Sequence, residues 1–298
     1  MPNREIALED RLRPRIMKLF RFGSAGNERP GVVYQEKKLD VSDFGEDYTE
    51  DFFANDGLNR LAQWLSDRAS TCPEVSENER FGPPVRRPGK IVCIGLNYKD
   101  HASESRMDLP TEPIIFFKAT SAVVGPNDDI LMPKGSTKTD WEVELAVVIK
   151  KKATYISEDE AMDYVAGYML HNDYSERAFQ LEHSGQWVKG KSCDTFAPIG
   201  PYLVTPDEID DVHNLSLWLK VNGETKQNGN TGDLIFNIPY LVSYLSQFMS
   251  LLPGDIISTG TPAGVGLGFR PPQYLKDGDV VELGIDALGS SRQHIKKQ

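Results

Sequence analysis

The chain is poor in cysteine and has no long hydrophobic run. Its three cysteines, Cys72, Cys93 and Cys193, are odd in number and widely spaced, which does not fit a disulfide framework and is typical of a reducing compartment. No apolar segment approaches the roughly 20 residues that a membrane helix needs. The N-terminus also lacks the apolar segment of a secretory signal. We therefore expect a cytoplasmic protein with no membrane partner.

Negative charge exceeds positive charge. The 33 lysines and arginines are outnumbered by 44 aspartates and glutamates, and the net charge of -11 argues against a nucleic-acid partner. Neither CxxC nor HExxH occurs, so the usual zinc sites are not expected. What remains, 39% hydrophobic and 26% charged residues, is ordinary for a globular protein. The length of 298 residues suits one large domain, or one large and one small domain.

The chain divides into three segments. Residues 1–16 precede a second methionine, Met17, and are expected to form a flexible leader. Residues 82–89 hold three prolines and two glycines, which is the composition of a linker. We therefore expect a small N-terminal β/α domain at 17–85 and a larger domain at 86–298. Predicted strands outnumber helices without alternating strictly with them, which favours a β-rich α+β fold over a parallel α/β sheet.

Local patterns place the main elements. Strands are expected at 18–22, 31–34, 91–94, 114–118, 142–149, 167–172, 215–221 and 255–259, and helices at 57–70, from 98 onwards and at 239–249. Asn97 is expected to cap the helix that starts at 98. Asn222-Gly223 predicts a hairpin turn after the strand 215–221.

The stretch DWEVELAVVIK, residues 140–150, is the most informative segment. Every second residue from Val143 to Ile149 is apolar and lies on one face, while Glu142 and Glu144 share the other face with further apolar residues. This pattern predicts a strand buried on both sides. Two buried like charges are costly unless a cation neutralises them, and carboxylate oxygens suit magnesium, calcium or manganese. A solvated polar face on an alternating strand is the alternative.

Two other segments carry polar side chains suited to chemistry. In NYKDHASES, residues 97–105, His101 and Glu104 share a helix face, where the carboxylate can orient an imidazole that acts as a base on water. An ordinary surface pair is the alternative. In NDYSERAFQ, residues 172–180, Asp173 follows an apolar run, either as a site residue at a strand end or as a helix N-cap. Arg177 and Gln180 would follow one and two turns further along that helix.

Two loops complete the set of candidate segments. Lys191, in KGKSCDTFAPIGP at 189–201, is either solvated or buried where it stabilises developing negative charge. The glycines of STGTPAGVGLG, residues 258–268, lack the spacing of nucleotide-binding loops. We expect this loop to bring backbone amides and Thr261 near a substrate oxyanion.

The order of these segments resembles that of the fumarylacetoacetate hydrolase superfamily. The blocks that carry the resemblance are NYKDHASE, PIIFFKATSAVVGP, DWEVELAVVI, NDYSERAFQ, KGKSCDTFAPIGP, VNGE and GDIISTGTPAGVG, over residues 90 to about 288. The resemblance implies a mixed β-roll around a deep pocket, with homodimers the common assembly. It favours a bacterial branch that contains hydrolases of 2,4-diketo-3-deoxy sugar acids from L-fucose and L-rhamnose breakdown, often labelled ureidoglycolate lyase. The extra metal-binding aspartate of the eukaryotic enzymes is missing, which disfavours their substrate.

The resemblance also implies roles for individual residues. The divalent metal, Mg²⁺ or Mn²⁺, would be held by Glu142, Glu144 and Asp173. The catalytic residues would be the general-base pair His101 and Glu104, together with the active-site lysine, Lys191. The substrate would be bound by Arg177, Gln180, Thr261 and Lys118.

The implied reaction is the hydrolysis of a 2,4-diketo acid. The metal would bind the carboxylate and 2-keto oxygens, and water activated by His101 would attack C4. The C3–C4 bond would then break through a metal-bound enolate to give pyruvate and a second carboxylate. Relatives on this scaffold also cleave ureidoglycolate, act on oxaloacetate or acylpyruvates, or tautomerise keto-diacids, and the motifs do not separate these reactions. A non-enzymatic binding module would need a broken ligand set, and none of the expected residues is missing.

Overall fold

The structure is a computed structural model that describes residues 17–104 and 109–298. The predicted leader, residues 1–16, lies outside the described residues. The strands are β1 (Lys18–Phe22), β2 (Arg29–Tyr34), β3 (Lys37–Asp40), β4 (Phe81–Gly82), β5 (Ile91–Gly95), β6 (Ile114–Lys118), β7 (Val123–Val124), β8 (Ile130–Met132), β9 (Thr139–Asp140), β10 (Val143–Ile149), β11 (Val165–Asn172), β12 (Ser175–Glu176), β13 (Ala197–Pro198), β14 (Leu203–Val204), β15 (Ser216–Val221), β16 (Glu224–Asn230), β17 (Ile256–Ser258), β18 (Val280–Ile285) and β19 (Gly289–Lys297).

Helices are fewer and shorter than strands. The α-helices are α1 (Glu50–Ala54), α2 (Gly57–Arg68), α3 (Lys99–Glu104), α4 (Val188–Lys191) and α5 (Ile238–Ser246). A π-helical turn covers Ala178–Glu182. Short 3-10 turns lie at Ser42–Phe44, Ala69–Thr71, Thr120–Ala122, Ala161–Tyr164, Pro206–Glu208, Thr231–Asp233 and Gly266–Gly268. No helix in the described part of the chain is long and apolar enough to cross a membrane.

Two large sheets form the fold. The first contains ten strands in the order β3-β2-β1-β14-β11-β10-β17-β5-β6, with β4 paired to β1. The second has the order β16-β15-β18-β19-β8. Both sheets are mixed, because β17 runs parallel to β5 and β19 runs parallel to β8, whereas the other neighbours are antiparallel. The predicted β-rich, mixed α+β fold is therefore confirmed.

Strand β10 lies in the middle of the first sheet and packs on both faces. All seven of its residues are buried. Alternate residues from Val143 to Ile149 pack towards the second sheet, in a core that also contains Leu219 and Leu283. Ala146 and Val148 pack into a separate core on the opposite face, which contains Leu61 of α2. The period-two pattern of 140–150 thus correctly predicted a strand covered on both sides.

The N-terminal strands extend the first sheet. β1 pairs with β14, which in turn pairs with β11, so β1, β2 and β3 continue the sheet that holds β10. Helices α1 and α2 contribute Phe52 and Leu61 to the core on that side. Residues 17–85 therefore share a sheet and a core with residues 86–298, and the domain boundary between them stays a prediction.

Several local predictions are confirmed and one is wrong. Asn222 and Gly223, at φ 52° and 81°, form the tight turn between β15 and β16, as the Asn-Gly pair predicted. Helix α2 lies within the predicted range 57–70. Asn97, however, does not cap the helix after it, which starts at Lys99. Its amide instead bonds the backbone of Phe236 and of Thr259, and so joins distant segments.

Candidate active site

Three carboxylates meet where strand β10 begins beside the end of strand β11. The antiparallel register pairs Val143 with Asn172, which brings Glu142, Glu144 and the residue after β11, Asp173, together. Each carboxylate offers an oxygen, and these oxygens lie within 4.8 Å of one another. The three side chains are buried, with exposed fractions of 6%, 1% and 0%. The structure therefore brings the three predicted metal ligands into one cluster.

Two of these carboxylates are paired with buried cations. The Lys191 ammonium lies 2.6 Å from Oε2 of Glu142 and 2.8 Å from Oδ2 of Asp173. Lys118 donates to Oδ1 of Asp173, and Arg177 donates to Oε1 of Glu142 at 2.6 Å. Burial alone would raise the pKa of Asp173, but the charges of Lys118 and Lys191 hold this pKa below its usual range. Burial would likewise lower the pKa of Lys191, yet the neighbouring carboxylates raise it above the usual value.

Glu144 has no such cationic partner among the described residues. Its Oε2 accepts hydrogen bonds from the Ser258 hydroxyl and from the Gly260 amide, the latter at 3.0 Å. Burial, and then the negative charges of Asp173 and Glu142, raise the pKa of Glu144 well above its usual value. A divalent cation bound to the three carboxylates would offset this cost, and hard oxygen ligands suit Mg²⁺ or Mn²⁺. The residues present therefore fit a divalent metal.

A buried histidine is connected to Glu144 through the hydroxyl of Ser258. His171 Nδ1 lies 2.6 Å from the Ser258 hydroxyl, which donates to Glu144. Burial lowers the pKa of His171 to about 3, so its imidazole is neutral. A Ser258 hydroxyl that donates to Glu144 can accept a hydrogen bond from His171, so a neutral His171 with its proton on Nδ1 completes this chain of hydrogen bonds. Sequence reasoning missed both residues, because each follows the strand pattern of its neighbours.

The predicted general base, His101, and its partner Glu104 lie on helix α3. His101 Nδ1 is 3.3 Å from Oε2 of Glu104, and the side chains are 12% and 20% exposed. The amide of Gly264 donates to both oxygens of Glu104, at 3.1 and 3.2 Å. The Ala263 amide donates to Asp100 on the same helix at 3.2 Å. Helix α3 is thus anchored to residues 260–268, which we call the glycine loop.

Glu142 and Glu144 of the carboxylate cluster, together with His101 and Glu104, open onto one cavity of about 330 Å³. Its polar lining residues are His101, Glu104, Glu142, Glu144, Arg177, Gln180, Lys191, Thr261 and Arg270. Its larger apolar lining residues are Ile94, Leu96, Phe116, Leu181, Trp187, Val265 and Leu267. A cavity of this size holds a small organic acid, with a charged floor and an apolar wall.

The predicted substrate-binding residues do not all face the cavity. Gln180 accepts a hydrogen bond from Arg177 at 3.0 Å and lines the cavity. Thr261 also lines it, but its hydroxyl already donates to the Val143 carbonyl at 2.9 Å. The ammonium of Lys118 is fully buried against Asp173 and does not line the cavity. Lys118 therefore supports a carboxylate of the cluster, and its predicted role in substrate binding stays a prediction.

Three sequence-based expectations about this region are wrong. Lys191 is not in a loop but ends helix α4, with 2% of its surface exposed. Arg177 and Gln180 do not follow Asp173 on one helix, because the two-residue strand β12 intervenes before the π-helical turn. Five amides of the glycine loop, those of residues 260, 263, 264, 266 and 267, are not free for a substrate oxyanion as expected, because they donate to carboxylates of the protein.

Fold and site together define a metal-dependent hydrolase. Residues 90–296 match the family described as Fumarylacetoacetate (FAA) hydrolase C-terminal. This chain therefore belongs to the fumarylacetoacetate hydrolase family, and it is an enzyme that acts on carbon–carbon bonds.

Similar proteins cover almost the whole chain. A 2,4-didehydro-3-deoxy-L-rhamnonate hydrolase of Sphingomonas sp. (strain SKA58) is 48% identical over 94% of this chain and 96% of its own. The solved fumarylacetoacetate hydrolase of Exiguobacterium antarcticum has a TM-score of 0.80 at 33% identity, over 95% of this chain and 100% of that chain. A maleylpyruvate hydrolase of Sphingobium sp. SYK-6, solved with manganese(II) and pyruvate, has a TM-score of 0.78 at 28% identity, over 94% of this chain and 99% of that chain.

Proposed function

We propose that this enzyme hydrolyses the C3–C4 bond of a 2,4-diketo acid, in particular a 2,4-diketo-3-deoxy sugar acid, to pyruvate and a second carboxylate. The observation that carries the proposal is the shared cavity, onto which Glu142 and Glu144 of the carboxylate cluster and the pair His101–Glu104 all open. The substrate in the name of the Sphingomonas relative and the pyruvate bound to the Sphingobium enzyme support the same choice.

Glu142, Glu144 and Asp173 would hold the divalent metal. When bound, the metal would supply Lewis acidity at this end of the cavity. The Lys191 ammonium, which is buried beside two of the three carboxylates, adds fixed positive charge at the same end of the cavity. Lys118 and Arg177 keep Asp173 and Glu142 in place.

His101 would take the proton from the attacking water. Nδ1 of His101 lies 3.3 Å from Glu104. In this proposal Glu104 accepts the Nδ1–H and orients the imidazole, so Nε2 is free to act as the base. The hydroxide forms the new bond to C4, and the electron pair of the C3–C4 bond passes to the three-carbon fragment. A proton returned to C3 completes pyruvate, while C4 becomes the carboxylate of the second product. The positive charge of Lys191 would stabilise the negative charge that develops on the three-carbon fragment.

A screen for pyruvate release tests this proposal. The purified enzyme with Mn²⁺ is given 2,4-diketo-3-deoxy acids, acylpyruvates, oxaloacetate and ureidoglycolate, and both products are quantified. We expect equal amounts of pyruvate and a second carboxylate from the diketo sugar acids. Pyruvate with carbon dioxide from oxaloacetate alone would make the enzyme a decarboxylase, and glyoxylate release from ureidoglycolate alone would make it a lyase.

Three finer points remain predictions. They are the identity of the metal as Mg²⁺ or Mn²⁺, a homodimeric assembly, and a cytoplasmic location. The carboxylate ligand set supports either metal equally.

A further inference from the structure

The glycine loop is held from two directions by carboxylates. From one side, Asp100 and Glu104 of helix α3 accept the amides of Ala263 and Gly264 at 3.2 and 3.1 Å. From the other side, Asp140 accepts the amides of Gly266 at 2.6 Å and Leu267 at 3.0 Å. Asp140 belongs neither to the metal-binding cluster nor to helix α3.

Asp140 also contacts the residue that orients a metal ligand. Its Oδ2 accepts the Arg177 Nε–H at 2.8 Å, and Arg177 Nη2 donates to Glu142 at 2.6 Å. Both Asp140 and Arg177 are buried, at 0% and 5% exposure. A continuous chain of hydrogen bonds therefore runs from Glu142 through Arg177 and Asp140 to the glycine loop, and from the loop to Glu104.

We propose that Asp140 is a positioning residue that couples the metal-binding carboxylates to the His101–Glu104 pair. Through Arg177 it fixes Glu142, and through the glycine loop it fixes the amide that holds Glu104. The inference rests on the proposed function, because it assigns the metal to Glu142 and the base to His101. Residues that orient metal ligands typically change metal affinity or activity by about 10- to 100-fold when they are altered.

Packing makes this connection stiff. A Cβ at Gly266 would lie 2.6 Å from Oδ1 of Asp140 and 2.0 Å from the Gln273 carbonyl, so the loop backbone is confined against the carboxylate. Asp140→Asn keeps the size of the side chain but removes its charge. It also turns one acceptor atom into an N–H₂ donor that must face Arg177 or the loop amides, which are themselves donors.

The first experiment measures Mn²⁺ affinity, without substrate, by calorimetry. We expect the Kd of Asp140→Asn to rise by about tenfold. The matched control is Asp255→Asn. Asp255 is also fully buried, accepts the amides of Lys90 and Leu252 at 3.0 and 2.6 Å, and pairs with a cation, but it lies outside the site. This control should lower the Tm and leave the Mn²⁺ Kd unchanged. An unchanged Kd in Asp140→Asn, or an equal change in both variants, would overturn the proposal.

A double-mutant cycle tests the coupling to the base. Asp140→Asn and Glu104→Gln are compared singly and together for kcat of pyruvate release. If the loop transmits the effect of Asp140 to Glu104, the combined loss is smaller than the product of the two single losses. Losses that multiply would mean that Asp140 acts on the metal ligands alone, which contradicts the proposed coupling.

Hydrogen exchange of the wild-type enzyme keeps the proposal testable if Asp140→Asn does not fold. Adding Mn²⁺ alone should slow exchange of the Gly266 and Leu267 amides, while the Leu252 amide held by Asp255 should not respond. Unchanged exchange of the loop amides would count against the coupling. A separate variant, Glu142→Gln, distinguishes a wrong metal site from a wrong role for Asp140. Mn²⁺ binding as tight as in the wild type would refute the metal site itself. Loss of Mn²⁺ there, with normal binding in Asp140→Asn, would refute only the role of Asp140.

Discussion

At the scale of single residues, the site separates its charges by function. Lys118, Lys191 and Arg177 neutralise Asp173 and Glu142. Among the described residues, the partners of Glu144 are a hydroxyl and an amide. The environment of His101 is different: its side chain is partly exposed at the cavity and lies beside the carboxylate of Glu104. In the proposed function, the first group binds the metal and His101 transfers the proton.

Replacing His101 separates these two tasks. We expect His101→Ala to lose pyruvate release from a 2,4-diketo acid by roughly 10²–10⁴-fold, because the base on water is gone. Mn²⁺ and oxalate, a mimic of the three-carbon product fragment, should still bind with normal affinity by calorimetry. Glu104→Gln should lose less, since its remaining amide oxygen can still accept the Gly264 amide.

Two results for His101→Ala would contradict this assignment. Hydrolysis at a near-normal rate would move the base elsewhere, with Lys191 the next candidate. Loss of oxalate binding would make His101 a structural residue and favour decarboxylase or tautomerase chemistry over hydrolysis.

The sequence identified most of these residues but not their surroundings. Glu142, Glu144 and Asp173 could be found because they lie next to strongly patterned strands. Lys191 was misplaced, because a four-residue helix has no periodicity to detect, and its partner Glu142 is 49 residues away. Asp140 stands in the same segment as the metal ligands, yet its role depends on the Gly266 amide, 126 residues later.

At the scale of elements, helix α3 depends on the glycine loop for its position. The loop supplies the amides that hold Asp100 and Glu104, and Gly268 lies directly against Glu104. The sequence predicted the helix and the loop separately. It could not predict that they dock, because the loop residues share no pattern with the helix.

A methyl group at Gly268 should therefore displace Glu104, the partner of His101, without touching His101 itself. A Cβ there would lie 2.3 Å from Cδ of Glu104 and within 2.6 Å of both its oxygens, so the carboxylate must move. We expect Gly268→Ala to lower kcat by about 10²-fold, the effect of a misplacement of about 1 Å. The Mn²⁺ Kd should not change.

Gly82→Ala is the matched control for that experiment. A Cβ at Gly82 would also meet a glutamate, 2.6 Å from Cγ of Glu28, but on strand β4 away from the cavity. This variant should lower the Tm and keep a normal kcat. If both variants had the same kcat, the contact between Gly268 and Glu104 would have no part in catalysis.

At the scale of the whole molecule, the site lies where the central strands of the first sheet end. Strand β10 packs on two cores, one towards the second sheet and one towards helices α1 and α2. Both cores fix the strand that carries Glu144. The strand patterns predicted this class of fold, but they did not predict that β1, β2 and β3 would join the same sheet through the two-residue strand β14, which is too short to leave a pattern.

The central claim is that Glu142, Glu144 and Asp173 bind a divalent cation without which the enzyme cannot cleave its substrate. Glu144→Gln removes the charge of the predicted ligand that has no cationic partner in the described part of the chain. This variant should bind Mn²⁺ much more weakly while still folding. Glu176→Gln is its control, because Glu176 is equally buried and accepts hydrogen bonds from the Thr139 hydroxyl and the Lys138 amide outside the cluster.

The most direct measurement is pyruvate release by the wild-type enzyme stripped of metal with a chelator, before and after Mn²⁺ is added back. The structure predicts no turnover in the stripped enzyme, full recovery with Mn²⁺, recovery in Glu176→Gln and none in Glu144→Gln. Full turnover by the stripped wild-type enzyme would contradict the claim.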